Sequence, residues 1–333
     1  TGITGQDGAY LSRLLLDKGY EVYGAARRTS DANNWRLRYL GIFSQVNLLP
    51  FELLEQGNVV NVINKVQPDE VYNLAAQSFV GTSFDQPLYT SDVNYLGVIR
   101  ILEAIRQTKR DIAFYQASTS EMFGKVKEDP QSETTPFHPR SPYGVAKLAA
   151  HWAAVNYREA YGMRCSCGIL FNHESPLRGQ EFVTRKISIA ISRIASGLQD
   201  KLELGNLDAM RDWGHAADYV DGMWRMTQRS EGDDFVLGTG ETHTVREFVD
   251  ICAQEFGINL EWSGSGVNEI GKDVKSNKVI VTVNPEFYRP AEVDLLRANP
   301  EKAASVLEWK PSISFTELAR EMVIADMEIC KRH

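Results

Sequence analysis

Gly2-Ile3-Thr4-Gly5-Gln6-Asp7-Gly8 sets three glycines at intervals of three, and the residues that follow open an amphipathic helix. Leu11, Leu14 and Leu15 fall at i, i+3 and i+4, Gly19 stops the helix, and Glu21-Val22-Tyr23-Gly24-Ala25-Ala26 has the short apolar look of a buried strand. Glycines in such a loop let the backbone approach a pyrophosphate closely, and the amino end of the helix offers N–H groups and partial positive charge to it. A loop of this kind follows a strand. The sequence therefore predicts a strand ahead of Thr1 and places the native start before that residue.

The same alternation continues. Val71-Tyr72-Asn73-Leu74-Ala75-Ala76 reads as a strand, Val98, Ile101, Leu102 and Ile105 as the buried stripe of a helix, and Ile112 to Ala117 as the next strand. Ser141-Pro142 opens a helix that runs to about Tyr161, because Ser caps and Pro at the first position lacks only an N–H that has no helical partner. Gly168 to Phe171 follows as another strand. Short strands alternating with helices build an α/β fold, here a Rossmann-like doubly wound parallel sheet. The 333 residues suit two domains. We expect residues 1–172 to form the dinucleotide domain and 173–333 mainly a smaller α/β substrate domain, with a return to the first around 210–245 and a strand at Asp234 to Leu237. Beyond about residue 175 the alternation weakens: Ser263 to Lys278 reads as a long polar loop and Lys278 to Val283 as an isolated strand.

Composition removes several classes. A formal charge of -8 argues against a nucleic-acid polymer as partner, since such binding displaces counterions with clustered Lys and Arg. No window approaches the roughly 18 apolar residues of a membrane span. Cys165, Cys167, Cys252 and Cys330 read as structural thiols of a reducing, cytoplasmic protein. His138, His151, His215 and His243 lack metal-ligand spacing, so no metal is expected. Trp213 beside Arg211 is open to two readings, stacking near a nucleotide or core packing.

After the second strand, an NAD site places an Asp or Glu about 20 residues past the glycines to hold the ribose 2′-hydroxyl. Arg27-Arg28-Thr29-Ser30 stands there instead, two guanidinium groups and two hydroxyls that suit a 2′-phosphate. NADP is the expected cofactor. Further on, Tyr143 and Lys147 lie at i, i+4 on one helix face, a phenol that can take a substrate proton and a cation expected to favour the phenolate. Upstream, Ser118-Thr119-Ser120-Glu121 ends a strand, where open α/β sheets place ligands. A carboxylate beside a hydride-transfer site adds the means to remove a carbon-bound proton next to a new ketone, which is elimination chemistry.

These stretches, together with Leu74 to Gly81, Phe171 to Gly179, Arg211-Asp212-Trp213-Gly214 and Arg289 to Asp294, resemble the extended short-chain dehydrogenase/reductases, in the branch that dehydrates GDP-sugars. The resemblance covers essentially the whole chain. It implies conversion of GDP-mannose, or a related GDP-sugar such as a GDP-manno-heptose, to the 4-dehydro-6-deoxy sugar. An epimerase or 4-ketoreductase and a catalytically silent nucleotide-sugar sensor are the rival readings. The resemblance implies Thr119, Ser120, Glu121, Tyr143 and Lys147 as the catalytic set. It implies cofactor contacts at Gly2, Ile3, Thr4, Gly5, Gln6, Asp7, Arg27, Arg28, Thr29, Ser30, Leu74, Ala75, Ala76, Gln77, Ser78, Tyr89, Lys147, His173 and Arg178. Asn172, Val183, Lys186, Leu204, Asn206, Arg211, Arg289 and Glu292 would face the GDP-sugar. Gly57-Asn58-Val59 stands where the family has Gly-Asp-Leu against the adenine, and Asn58 can accept from the adenine amino group through its amide oxygen. Relatives in the family assemble as dimers and tetramers, so a homo-oligomer is expected.

Overall fold

The structure, a computed structural model, describes residues 1–29, 33–287 and 296–331. The first part of the chain runs α1 (Gln6–Asp17), β1 (Tyr23–Ala26), α2 (Trp35–Tyr39), β2 (Asn47–Pro50), α3 (Gln56–Val66), β3 (Glu70–Asn73), α4 (Val80–Asp85), α5 (Pro87–Ser91), α6 (Gly97–Thr108), β4 (Ala113–Thr119), α7 (Pro142–Tyr161) and β5 (Cys165–Leu170). It continues through β6 (Asn172–Glu174), α8 (Val183–Ala195), β7 (Leu202–Leu204), β8 (Met210–Arg211), β9 (Trp213–His215), α9 (Ala216–Thr227) and β10 (Asp234–Leu237). Last come β11 (His243–Thr244), α10 (Val245–Gln254), β12 (Leu260–Ser263), β13 (Ile270–Asp273), β14 (Val279–Val283), α11 (Glu301–Val306) and α12 (Phe315–Cys330).

Strands β10-β5-β4-β3 form a parallel sheet in that order, and β1 pairs in parallel with β2. A cavity of about 540 Å³ lies between the two sets, lined by Ile3, Val22, Ala25, Val71 and Tyr72 among others, and Thr1 stands in it with its amino group donating to Tyr72 O at 2.8 Å. Helices cover both faces: Leu11 and Leu15 of α1 pack with Tyr219 and Met223 of α9 in one core, while Val59 and Ile63 of α3, Ile101 and Ile105 of α6 and Ala150 and Ala154 of α7 pack in another. This is the doubly wound α/β architecture. Strand β3 ends at Asn73, three residues before the expected Ala76: Asn73 is still paired with Gln116, its side chain meeting Thr1 Oγ1 and Gln116 Oε1, and residues 74–79 leave the sheet.

A second sheet, in the order β12-β13-β14-β7, packs against α8, α10 and α12 around Ile187, Ile191, Phe248, Val281 and Leu318. Two expectations are corrected here. Ser263 to Lys278 is not one loop, since β13 lies inside it, and β14 is not isolated, since it pairs antiparallel with β13 and parallel with β7. Strand β13 hides from a periodicity reading because one of its four residues is Gly271, whose added Cβ would stand 2.9 Å from the Trp262 ring, and a bulge follows at Lys272. Among the described residues, no helix is long and apolar enough to cross a membrane.

Candidate active site

A cleft of about 670 Å³ opens over the carboxyl ends of β3, β4 and β5 and is closed on the far side by α8, β7, β8 and the turn Pro285–Phe287. Its floor is made by β4 and α7. Ser141 Oγ accepts the Gly144 N–H at 3.0 Å and Pro142 follows as the first helical residue, so α7 starts abruptly and sets Tyr143 in its first turn. Gly144 is required by a close approach: a Cβ there would lie 2.9 Å from Glu121 O. At the end of β4, Thr119 Oγ1 accepts the Glu121 N–H at 3.2 Å and opens the turn Ser120–Met122. Thr119, Ser120, Glu121, Tyr143 and Lys147 all line the cleft.

The electrostatics differ from the sequence reading in one respect. Lys147 Nζ donates to Ala117 O at 2.9 Å and lies 5.9 Å from the Tyr143 ring centroid, so the strand carbonyl anchors the ammonium near the phenol. Burial pushes the Tyr143 phenol well above its ordinary range, the Glu121 charge adds to this, and a hydrogen bond from Thr119 opposes it. Burial also pulls Lys147 down to about 8, so it is a cation below that pH and neutral above it.

The head of α1 carries the residues expected to meet a cofactor. Gly5 is its cap residue and supplies no side-chain cap, and Gly2, at φ +68°, lies so close to the loop after β3 that an added Cβ would stand 2.7 Å from Ala75 N. Ile3 is buried, and Gln6 Nε2 donates to His173 O at 3.0 Å. His173 Nε2 meets Asp7 Oδ2 at 2.9 Å, while its Nδ1 meets Phe171 O at 2.8 Å. Burial works against both charges, yet the pair prevails: the Asp7 carboxyl is held below and the His173 ring above its ordinary value. Past β1, Arg27 donates to Tyr89 Oη at 2.8 Å, and Arg27, Arg28 and Thr29 are exposed. Ser30 lies outside the described residues. In the loop after β3, Leu74, Ala76 and Ser78 line the cleft, and Gln77 is clamped by Asn94, which accepts its N–H at 2.8 Å and donates to its carbonyl at 2.9 Å. Arg178 pairs with the buried Glu174 at 3.0 Å and lies over Phe182.

On the opposite wall, Asn172, Val183, Lys186, Leu204, Asn206 and Arg211 share the cleft. Lys186 Nζ sits 3.8 Å over the Phe287 ring, and burial lowers its pKa. Arg289 and Glu292 lie outside the described residues. Trp213 is 2% exposed and stacks on Phe315, so its main role is core packing, although its edge reaches the cleft.

Comparison with known proteins bears directly on this arrangement. The family model described as GDP-mannose 4,6 dehydratase matches residues 1–322. The chain belongs to that family. The GDP-mannose 4,6 dehydratase of Cricetulus griseus is 51% identical over 339 residues, covering 99% of this chain and 91% of the relative. The GDP-mannose 4,6-dehydratase of Yersinia enterocolitica is 49% identical over 350 residues, covering 100% and 94%. In fold, the chain is similar to RMD from Pseudomonas aeruginosa complexed with NADPH, at a TM-score of 0.78 and 24% identity, covering 99% of this chain and 98% of that one.

Asn58 and Val59 are not where a cofactor role for them requires. Both lie inside α3; Val59 is fully buried, and Asn58 Oδ1 accepts the Glu52 N–H at 2.8 Å. The residues delivered by the carboxyl end of β2 are Phe51, Glu52 and Leu53. Sequence reasoning also missed Arg36, which donates to Thr4 O at 3.0 Å and Leu177 O at 2.6 Å and so braces the glycine loop. It missed Phe79, Phe182 and Phe287 on the cleft wall as well. Phe79 lies within the Leu74 to Gly81 stretch, which marks the segment but not this side chain; no motif marks the others, and for Arg36 the one available signal is a basic residue shortly after the Arg27-Arg28 turn.

Proposed function

We propose that the chain converts GDP-D-mannose to GDP-4-dehydro-6-deoxy-D-mannose and water, with NADP as a cofactor regenerated in each turnover. The observation that carries this reading is the placement of Glu121 and Tyr143, two proton-handling groups close enough for the carboxylate to shift the phenol, at the carboxyl end of β4. A 4-epimerase or simple ketoreductase moves no carbon-bound proton beside the ketone and has no use for the second group.

The glycine loop fits a dinucleotide: it has no side-chain cap, no room for a Cβ at Gly2, and Arg27, Arg28 and Thr29 beyond β1 where a 2′-phosphate would lie. We place Glu52, rather than Asn58, against the adenine. When bound, the oxidised cofactor supplies a hydride acceptor and a positive ring charge that favours the Tyr143 phenolate. Lys147, anchored on Ala117 O, would hold the ribose. Tyr143 takes the proton of the C4 hydroxyl as hydride is lost from C4, so that a 4-ketone forms and C5–H becomes acidic. Glu121 removes the C5 proton and passes it to the departing C6 hydroxyl, so water leaves and a C5–C6 double bond forms. Reduction at C6 and return of the Tyr143 proton to C5 complete the sequence, with Thr119 and Ser120 orienting the C4 oxygen and the leaving group. Lys186 and Arg211 would meet the diphosphate.

Homo-oligomerisation belongs to the same proposal: Phe84, Leu88, Val145 and Trp152 expose apolar side chains on α4, α5 and α7 that a second copy would cover. A reducing, cytoplasmic setting suits four cysteines with no disulfide between them. Mass spectrometry of products from GDP-mannose and from a GDP-manno-heptose, each with catalytic NADP, tests the substrate. Loss of water from GDP-mannose supports the proposal; loss of water from the heptose alone, or an isomer of unchanged mass, contradicts it.

A further inference from the structure

Tyr143, Lys147 and His151 stand at i, i+4 and i+8 of α7 and leave the helix along one stripe. The three meet the last three residues of β4. Thr119 lies close enough to Tyr143 to oppose the rise in its pKa, Lys147 Nζ donates to Ala117 O, and His151 Nδ1 lies 3.0 Å from Ser118 Oγ. The first two contacts serve the chemistry proposed above. The third has no role in it, yet it is the most enclosed, with His151 and Ser118 both 3% exposed.

The His151 ring is fixed from every side. Phe137 and Trp152 meet it edge-on at 5.5 and 5.6 Å, and its Nε2 faces Asp234 Oδ2 at 3.9 Å. Asp234 is itself gripped by both terminal nitrogens of Arg158 at 3.0 Å. The Cys167 thiol completes a group in which the His151, Cys167 and Asp234 ligand atoms lie within 4.8 Å of one another. A metal ion there would have to displace the Arg158 guanidinium and ionise a thiol that burial keeps protonated. The cluster is better suited to hold a neutral imidazole still, and burial lowers the His151 pKa in keeping with that.

We infer that His151 is a positioning residue, which through Ser118 fixes the carboxyl end of β4, and with it Thr119 and Glu121, against Tyr143 and Lys147. Glu121 and Tyr143 must act on neighbouring carbons of one sugar ring, so a small slip of β4 along α7 misplaces one of them while leaving the nucleotide grip intact. The inference rests on the roles proposed for Thr119, Glu121 and Tyr143.

Two substitutions separate the two nitrogens. An Asn amide reaches about as far as Nδ1 and can keep the bond to Ser118, whereas a Gln amide reaches about as far as Nε2 and can keep only the contact with Asp234. His151→Gln should lower kcat for GDP-mannose dehydration by about 10- to 100-fold, with KM within about twofold. His151→Asn should hold kcat within about threefold of the parent. Ser118→Ala, which removes one buried oxygen and keeps the test alive if a His151 variant does not fold, should match His151→Gln. The double variant should lose no more than either single one. Equal effects of Asn and Gln, a change confined to KM, parental kcat in Ser118→Ala, or additive losses would overturn the inference. The parent enzyme, assayed alongside, distinguishes the two levels: a parent that does not dehydrate GDP-mannose rejects the proposed function, and a dehydrating parent with insensitive variants rejects the role of His151 alone.

Discussion

The floor and the far wall of the cleft are built in different ways. Every proposed catalytic side chain on the floor comes from residues 119–147, on one strand end with its following turn and the helix packed on it, and this short stretch is held by local contacts: Thr119 to Glu121 N, Lys147 to Ala117 O, Ser141 to Gly144 N. The wall gathers Lys186 from α8, Leu204 from β7, Asn206 from the turn after it and Arg211 from β8, elements that meet only because the second sheet packs as it does. Chemistry here depends on the register of one helix against one strand, and recognition depends on long-range assembly. Changes on the floor should therefore appear in kcat and changes on the wall in KM.

The largest expected effect is on the floor. Glu121→Gln should slow dehydration by about 1,000-fold, within the usual range for removing a general base, while C4 oxidation persists and is visible as reduced cofactor absorbance. Dehydration at the parental rate would break the comparison. On the wall, Lys186→Ala should raise KM for GDP-mannose about tenfold, the worth of one charge-assisted contact, and leave kcat within about twofold. A loss carried by kcat would place Lys186 in the chemistry. The smallest effect concerns cofactor choice: Arg28→Ala should weaken NADP binding about fivefold more than NAD binding by calorimetry, because the side chain is exposed and its pairing with a 2′-phosphate is screened. Equal losses would remove the basis for preferring NADP.

How much of this is legible in the sequence follows the same division. The loop Gly2 to Gly8, the Ser141-Pro142 helix opening and the Tyr143/Lys147 pair are local patterns, and each lies where its pattern implies. Contacts between distant segments leave no such trace. Arg36 braces the glycine loop through two carbonyls 141 and 32 residues away, Asn94 clamps Gln77 from the π-helical segment Asp92–Leu96, which has no motif, and β13 is visible only through its partners. The adenine contact expected at Asn58 rests on a Gly-Asn-Val triplet that lies in the first turn of α3, whereas the contact we propose instead, Glu52, stands six residues earlier, just past β2, and carries no such triplet. The i, i+4 spacing of Tyr143 and Lys147 likewise does not reveal that the ammonium is anchored on the carbonyl of Ala117, a strand residue 30 positions away.

The central claim is that one sugar is oxidised, dehydrated and reduced without leaving the cleft. GDP-mannose carrying deuterium at C4, incubated with the enzyme and catalytic NADP, tests it directly by mass spectrometry and NMR of the product. The proposed cycle requires a product lighter by one water that bears the deuterium at C6, with no net gain of reduced cofactor. Deuterium retained at C4, or accumulating in the cofactor in proportion to product, would contradict it.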